Sequence, residues 1–235
     1  MLGDLPEEEI GARIVARAAR RPIHPGIVQI PVRIISKDPM EPRVAVRSRK
    51  FDHPISPKEA CAAIDAFMDK TAARFSRLQL RREGGGIISA SDIESHIRDF
   101  VRKEWTPDVV VIDYADLLRP EPKTTHMDLR HQVNATWMIL RRIAMDHQCL
   151  VITASQTAAS SYGSITIRKR DFSEDKRKHA HVTGMVGINQ TEAEKDAGLY
   201  RLNWVVLRKG RFSESKVVWT AGDLSVSCPC ILSSW

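Results

Sequence analysis

The sequence predicts an α/β domain with a mainly parallel central sheet. Two observations carry this. Pro107 to Tyr114 (PDVVVIDY) and Cys149 to Gln156 (CLVITASQ) each hold a short run that is apolar on both faces and ends in polar side chains. Runs of that kind are the strands of parallel sheets, which other elements cover on both faces. Between them lies one long helical pattern, and strand, helix, strand is the right-handed crossover unit of such sheets. The unit brings Asp113 and Gln156 to the same edge, at the carboxyl ends of the strands, where open α/β sheets take their ligands.

Composition bounds the rest. At 235 residues the chain can bury a substantial core. Its formal net charge is +7 and its pI about 9.4, a basic balance that favours an acidic partner such as nucleic acid. No apolar run approaches the ~20 residues of a membrane span. Met1 to Glu9 is acidic without an apolar stretch, which does not match a signal peptide. Cys61, Cys149, Cys228 and Cys230 are too few for a disulfide scaffold, and Cys228-Pro-Cys230 has no second ligand pair at metal spacing.

The elements follow in order. Asp4-Leu-Pro-Glu-Glu-Glu-Ile10 carries helix-start signals, with Asp4 as the cap, and the helix ends before Pro22. Ile27 to Ile35 is a strand at an edge, because Pro31 removes a donor. Ser36 to Ser56, proline-broken and of mixed charge, reads as a loop or insertion. Pro57 to Phe75 carries the stripe Ala60, Ile64, Phe67, Met68 and Ala72 of an amphipathic helix. Arg77 to Arg82 (RLQLRR) alternates like a strand. Gly84-Gly85-Gly86 is a turn, since no Lys-Ser/Thr comes after it as in GxxxxGK[ST]. Ser89 or Ser91 caps a helix running to Trp105. After the Asp113 strand, Leu117 to Asp128 is a loop and Met127 to His147 a helix. Thr157 to Lys178 is a long polar loop. Val182 to Ile188 is a strand, and Thr191 to Gly198 an acidic loop or turn. Tyr200 to Leu207 and Lys216 to Thr220 pair as a hairpin around Arg208-Lys-Gly-Arg-Phe212, and a short apolar tail comes last.

Certain residues have chemistry to offer. A carboxylate at the Asp113 position suits a Mg²⁺ held, usually through water, beside a nucleotide's phosphates. The same Asp also suits the bland task of capping the next helix. An amide at Gln156 can hydrogen-bond a terminal phosphate or an attacking water. Arg168, Lys169, Arg170, Lys176, Arg177 and Lys178 lie in the loop that leaves Gln156. They read as contacts to single-stranded DNA or as solvated surface.

Over its whole length the chain resembles the C-terminal, RecA-like ATPase domain of DnaB-like replicative helicases, phage types above all. PDVVVIDYADLL (Pro107 to Leu118) resembles that family's Walker B strand, and LVITASQ (Leu150 to Gln156) the following strand ending in Ser-Gln. Lys209-Gly210-Arg211 resembles its Lys-x-Arg pair. Asp4 to Arg13 resembles its Glu-Met-Ser stretch, where an acid precedes an Arg by nine positions. The resemblance implies a single RecA-like P-loop NTPase domain over residues 1–235, N-terminally incomplete because no Walker A loop is present. It implies ATP and Mg²⁺ as cofactors, with Asp113 as the metal ligand and Gln156, Lys209 and Arg211 as catalytic. Asp4 then stands where the family has a catalytic Glu, one methylene longer. It implies DNA unwinding during replication by a homo-oligomer, a hexameric ring on single-stranded DNA. Primase or loader proteins would be partners, and the cytoplasm of a bacterium or phage-infected host the location. The alternatives are a RecA/KaiC-like recombination or regulatory ATPase, and a catalytically inactive DNA-binding or assembly module.

Overall fold

The computed structural model describes residues 6–70, 78–157, 165–172 and 177–234. Asp4 and Lys176 lie outside them, as does the expected end of the Pro57 to Phe75 helix.

Helix α1 spans Glu7–Ala19 and opens on Pro6, not on Asp4. Pro6 already has the φ of −58° that its ring imposes, and it has no N–H to satisfy. Glu7, Glu8 and Glu9 then place negative charge at the positive end of the helix dipole. Strand β1 (Gly26–Ser36) pairs antiparallel with β2 (Arg43–Phe51). The expected loop at Ser36 to Ser56 therefore contains the strand β2. Pro39 and Pro42 sit in the connection between the strands, outside the ladder, so they do not interrupt it. Helix α2 (Pro57–Lys70) packs beside α1.

Helix α3 (Ala90–Arg102) begins with a capping box. Ser89 accepts from the Asp92 amide, and the Asp92 carboxylate accepts from the Ser89 amide at 2.8 Å. Ahead of it, residues 78–82 form no strand, against expectation. Leu78 and Leu80 stay exposed, so the alternation has no apolar surface to cover. Gln79, Arg81 and Glu83 instead line a cavity of about 120 Å³ with His96, Phe100 and Trp105. Burial there pushes the His96 imidazole below its usual pKa. Gly84 to Gly86 form the expected turn, with Gly86 at φ +72°, where a side chain would be strained.

Strand β3 (Val109–Ile112), helix α4 (Leu129–Asp146) and strand β4 (Leu150–Thr153) make the expected parallel unit. Asp128 caps α4, accepting from the His131 amide at 2.9 Å. Trp137, Leu140 and Ile143 of α4 close on Ile93 and Ile97 of α3 and on Ile112. Each such buried side chain contributes roughly 1.5–3 kcal/mol.

The mainly parallel sheet does not extend further. Among the described residues β3–β4 is the only parallel pair, and Val109, Val111, Leu150 and Ile152 on one of its faces are exposed. The larger sheet is antiparallel. After the short helix α5 (Lys178–His181) come β5 (Gly184–Asn189), helix α6 (Glu192–Asp196), β6 (Leu199–Leu207), β7 (Val217–Asp223) and β8 (Cys228–Ser234). The four strands lie side by side in sequence order. The connections joining them are too short for crossovers, so they must return antiparallel. The expected C-terminal hairpin is the middle of this meander. Thr191 to Gly198 holds α6 rather than a plain loop, because Thr191 and Glu194 form a capping box.

Candidate nucleotide edge and basic loops

At the carboxyl ends of β3 and β4 a cluster of polar groups closes over the parallel unit. Thr153 Oγ1 accepts from the Ala115 amide at 2.8 Å, which ties the tip of β4 to the chain leaving β3. Asp116 Oδ2 accepts from the Ser155 hydroxyl at 3.0 Å and from the Gln156 amide N–H at 3.4 Å. The Gln156 side-chain amide donates to the Tyr114 hydroxyl at 3.1 Å. Lys178, from α5, reaches across to Asp116 Oδ1 at 2.6 Å and to Ser155 Oγ at 3.0 Å. Its Nζ lies 5.7 Å from the Trp137 ring centroid, within cation–π range. With side chains 13% and 24% exposed, the Lys178–Asp116 pair is shielded from water more than most ion pairs in the molecule.

Asp113 and Gln156 thus share one edge, as their strands require. The Asp113 carboxylate is half-buried and has no hydrogen bond or ion pair among the described residues. Its oxygens are free to face a hydrated Mg²⁺, so the residues present fit that ion. They do not fit a phosphate chain in the same way. The glycine-rich turn uses its Gly86 N–H on the Leu117 carbonyl at 2.8 Å, and its Ile87 N–H on Gly84. Among the described residues no glycine loop offers a row of free N–H groups.

The other expected site residues divide. Lys209 and Arg211 are exposed in the β6–β7 connection, with no hydrogen bond or ion pair among the described residues. Arg168, Lys169 and Arg170 are exposed on a short 3-10 turn. Lys178, expected to face nucleic acid with them, is turned inward by the Asp116 carboxylate. Arg177 is half-buried at the start of α5.

The structure joins groups that lie far apart in sequence. Lys169 Nζ stands 6.0 Å from the ring of Phe212, the residue after Arg211, so the two basic turns are neighbours. Arg208, at the base of the hairpin, donates to the carbonyls of Ala180 and Val182, within four residues of Lys178. The hairpin base is therefore linked through α5 to its own chain's polar edge.

Residues 165–172 are held against the antiparallel sheet by buried polar groups. The Ile167 amide donates to Asn189 Oδ1 at 2.6 Å, and Asn203 Nδ2 donates to the Ile167 carbonyl at 3.0 Å. Gly187 leaves the room for this, since a Cβ there would stand 2.7 Å from Asn203 Oδ1. Arg201 donates to the Ile165 carbonyl at 2.6 Å and makes a two-point ion pair with Glu194 at 2.6 and 3.1 Å. Sequence reasoning missed Tyr114, Asp116 and Ser155 in the edge. Tyr114 and Ser155 directly flank its two legible members and Asp116 lies three residues beyond Asp113, which was the available signal.

An α/β core with a polar edge of this kind defines a fold similar to that of helicase ATPase domains. Two solved structures give the likeness in particular. One is a DnaB-like replicative helicase described with its interactions with primase, at TM-score 0.62 and 13% identity over 94% of this chain. The other is the ATPase domain of a phage helicase, at TM-score 0.65 and 14% identity over 97% of this chain and 72% of that one. The chain spans about half, 46%, of the length of the first. No family model and no curated protein matches the sequence. Among the described residues no helix is long and apolar enough to cross a membrane.

Proposed function

We propose that this chain is the RecA-like motor domain of a DNA helicase, coupling ATP hydrolysis to movement along single-stranded DNA during replication. The observation that carries the reading is the β3–α4–β4 unit, with Asp113 and Gln156 on one edge of a helicase-like fold. Asp113 is the Mg²⁺ ligand. Gln156 reports the state of the terminal phosphate, oriented by Tyr114 and Asp116, and passes it to the loop beyond. Arg168, Lys169, Arg170, Lys176 and Arg177 contact the DNA backbone. Lys209 and Arg211, exposed and without an ion pair among the described residues, serve the nucleotide of a neighbouring subunit in a hexameric ring. A cation offered in trans to a transferring phosphoryl group can be worth ~10³ or more in rate. Asp4 is the general base or only a polar residue ahead of α1. The sequence holds no GxxxxGK[ST] phosphate cradle, and primase or loader proteins are candidate partners in the cytoplasm.

The experiment compares the purified chain with a version to which a GxxxxGK[ST] segment has been restored. The chain alone is expected to bind ATP weakly without turnover. The restored version hydrolyses ATP and loses that activity on Asp113→Ala. Its Arg211→Ala variant keeps ATP binding, loses turnover, and regains part of it when mixed with Asp113→Ala. Robust turnover by the chain alone would mean that it carries a phosphate site of another kind. A restored version that stays inactive supports the second reading, an inactive DNA-binding or assembly module, which the engaged Gly86 N–H favours.

A further inference from the structure

The β1–β2 ribbon takes no part in the nucleotide edge. It carries six cations against three acids between Gly26 and Asp52. The register sorts them. Ser36 pairs with Arg43, Arg33 with Ala45, Ile30 with Arg47 and Val28 with Arg49. Paired residues, and residues two apart on one strand, share a face. Arg33, Arg43, Arg47 and Arg49 therefore project from the same side of the ribbon, and all four are exposed. The opposite side carries the anchor at Ile34 and Val44, while on the arginine side only Val28, across from Arg49, is buried. Ile34 and Val44, paired with each other, pack against the cluster of Leu199, Trp219 and Ala221 on β6 and β7. The Gln29 amide donates to Asp223 at 2.6 Å.

We propose that the arginine face of this ribbon binds the backbone of duplex DNA, as a second nucleic-acid contact separate from the basic loops. From Arg43 to Arg49 the row runs about 20 Å at ~3.4 Å per residue. A duplex strand presents one phosphate per ~3.4 Å of axis, so the row spans about six nucleotides. The charge is scarcely offset. The one acid paired to the row, Glu41, stands 3.9 Å from Arg43, with both side chains largely exposed. A two-stranded ribbon also matches the ~12 Å width of the major groove. Single strands are gripped differently, by aromatic rings on which bases stack. The arginine face has one ring, Phe51, and the guanidinium groups of Arg21 and Arg49 cover it at 4.8 and 4.7 Å. Arg33 and Arg47 make no ion pair among the described residues, so they are available to phosphate.

The test uses the full chain, a fluorescent 20-base-pair duplex and a fluorescent dT20, titrated by anisotropy across a KCl series. Arg33→Ser with Arg43→Ser and Arg47→Ser should lower duplex affinity ~10-fold or more and make the salt slope shallower by about 2 to 3. The same three positions changed to Lys should keep affinity within a few-fold, because phosphate contact needs charge more than fork geometry. Binding of dT20 should change less than twofold in both variants. Thermal melting checks that the Ser variant is folded, and Arg43→Gln with Arg47→Gln replaces it if it is not. Parental duplex affinity and slope in the neutralised variant would overturn the proposal. So would a Lys variant as impaired as the Ser variant, or a loss of dT20 binding as large as the loss of duplex.

Discussion

Removing the guanidinium of Arg201 should destabilise the whole antiparallel half. Arg201 and Glu194 are 2% and 0% exposed, and they meet in a two-point ion pair. Glu194 also accepts the Thr191 amide at 2.6 Å, as the box that starts α6. Arg201→Met leaves a buried carboxylate with one amide partner, and breaking such a pair from one side costs about 3–5 kcal/mol. It also frees the Ile165 carbonyl, a further ~1 kcal/mol. For a chain of this size a kilocalorie is worth about 2–4 °C, so the melting temperature should fall by roughly 8–24 °C. Adding Glu194→Leu should recover most of that loss, short of the ~1 kcal/mol of the lost cap. Thermal unfolding followed by circular dichroism on parent, single and double variants measures both steps. A single variant melting within 2 °C of the parent would refute the reasoning. So would a double variant no more stable than the single, since the cost would then not be an unpaired charge.

Two further outcomes rest on contacts of the same kind. Lys178→Met removes the cation that binds Asp116 and Ser155, and should cost about 1.5–3 kcal/mol in a chemical melt; an unchanged midpoint would show the contact to be worth nothing. Asp92 is held below the usual carboxylate range by the Ser89 amide first, so its stabilising contribution is full above the unfolded-state pKa and is lost as pH falls through the lower folded value. Asp92→Ala should therefore cost about 1 kcal/mol at pH 7 and progressively less below about pH 4, and melting curves across that range check the convergence.

The parallel unit and its two polar tips were legible because they are local. VVVI and LVIT are unbroken apolar runs, and Ser89, one of the two serines expected to cap the helix before them, does so. The second strand of the ribbon was not legible, because RVAVRSRKF alternates on a basic background and both sides look polar. The RLQLRR run misled in the other direction: its period is that of a strand, but it has no neighbour to pair with among the described residues. In the polar edge, Asp113 and Gln156 could be placed from strand ends alone. Lys178 could not, since its partner Asp116 is 62 residues away and nothing in a basic run says which cation will turn inward. The closeness of Lys169 to Phe212 is of the same kind, set by how residues 165–172 lie on the sheet.

The seat of the β1–β2 ribbon has a consequence for how the chain is made. Gln29 and its acceptor Asp223 are 194 residues apart, and Ile34 and Val44 rest on strands formed near the other end of the sequence. At ~5–20 residues per second, a ribosome takes roughly 10 to 40 s to deliver that seat after the ribbon has emerged. Hairpins of this kind form in microseconds. For that interval the ribbon has no seat, its Ile34 and Val44 side is open to water, and a lone two-stranded hairpin is only marginally stable. Until β6 and β7 emerge, that open face is exposed to chaperone capture and strand-to-strand pairing, an interval that runs past the synthesis of β3 and β4.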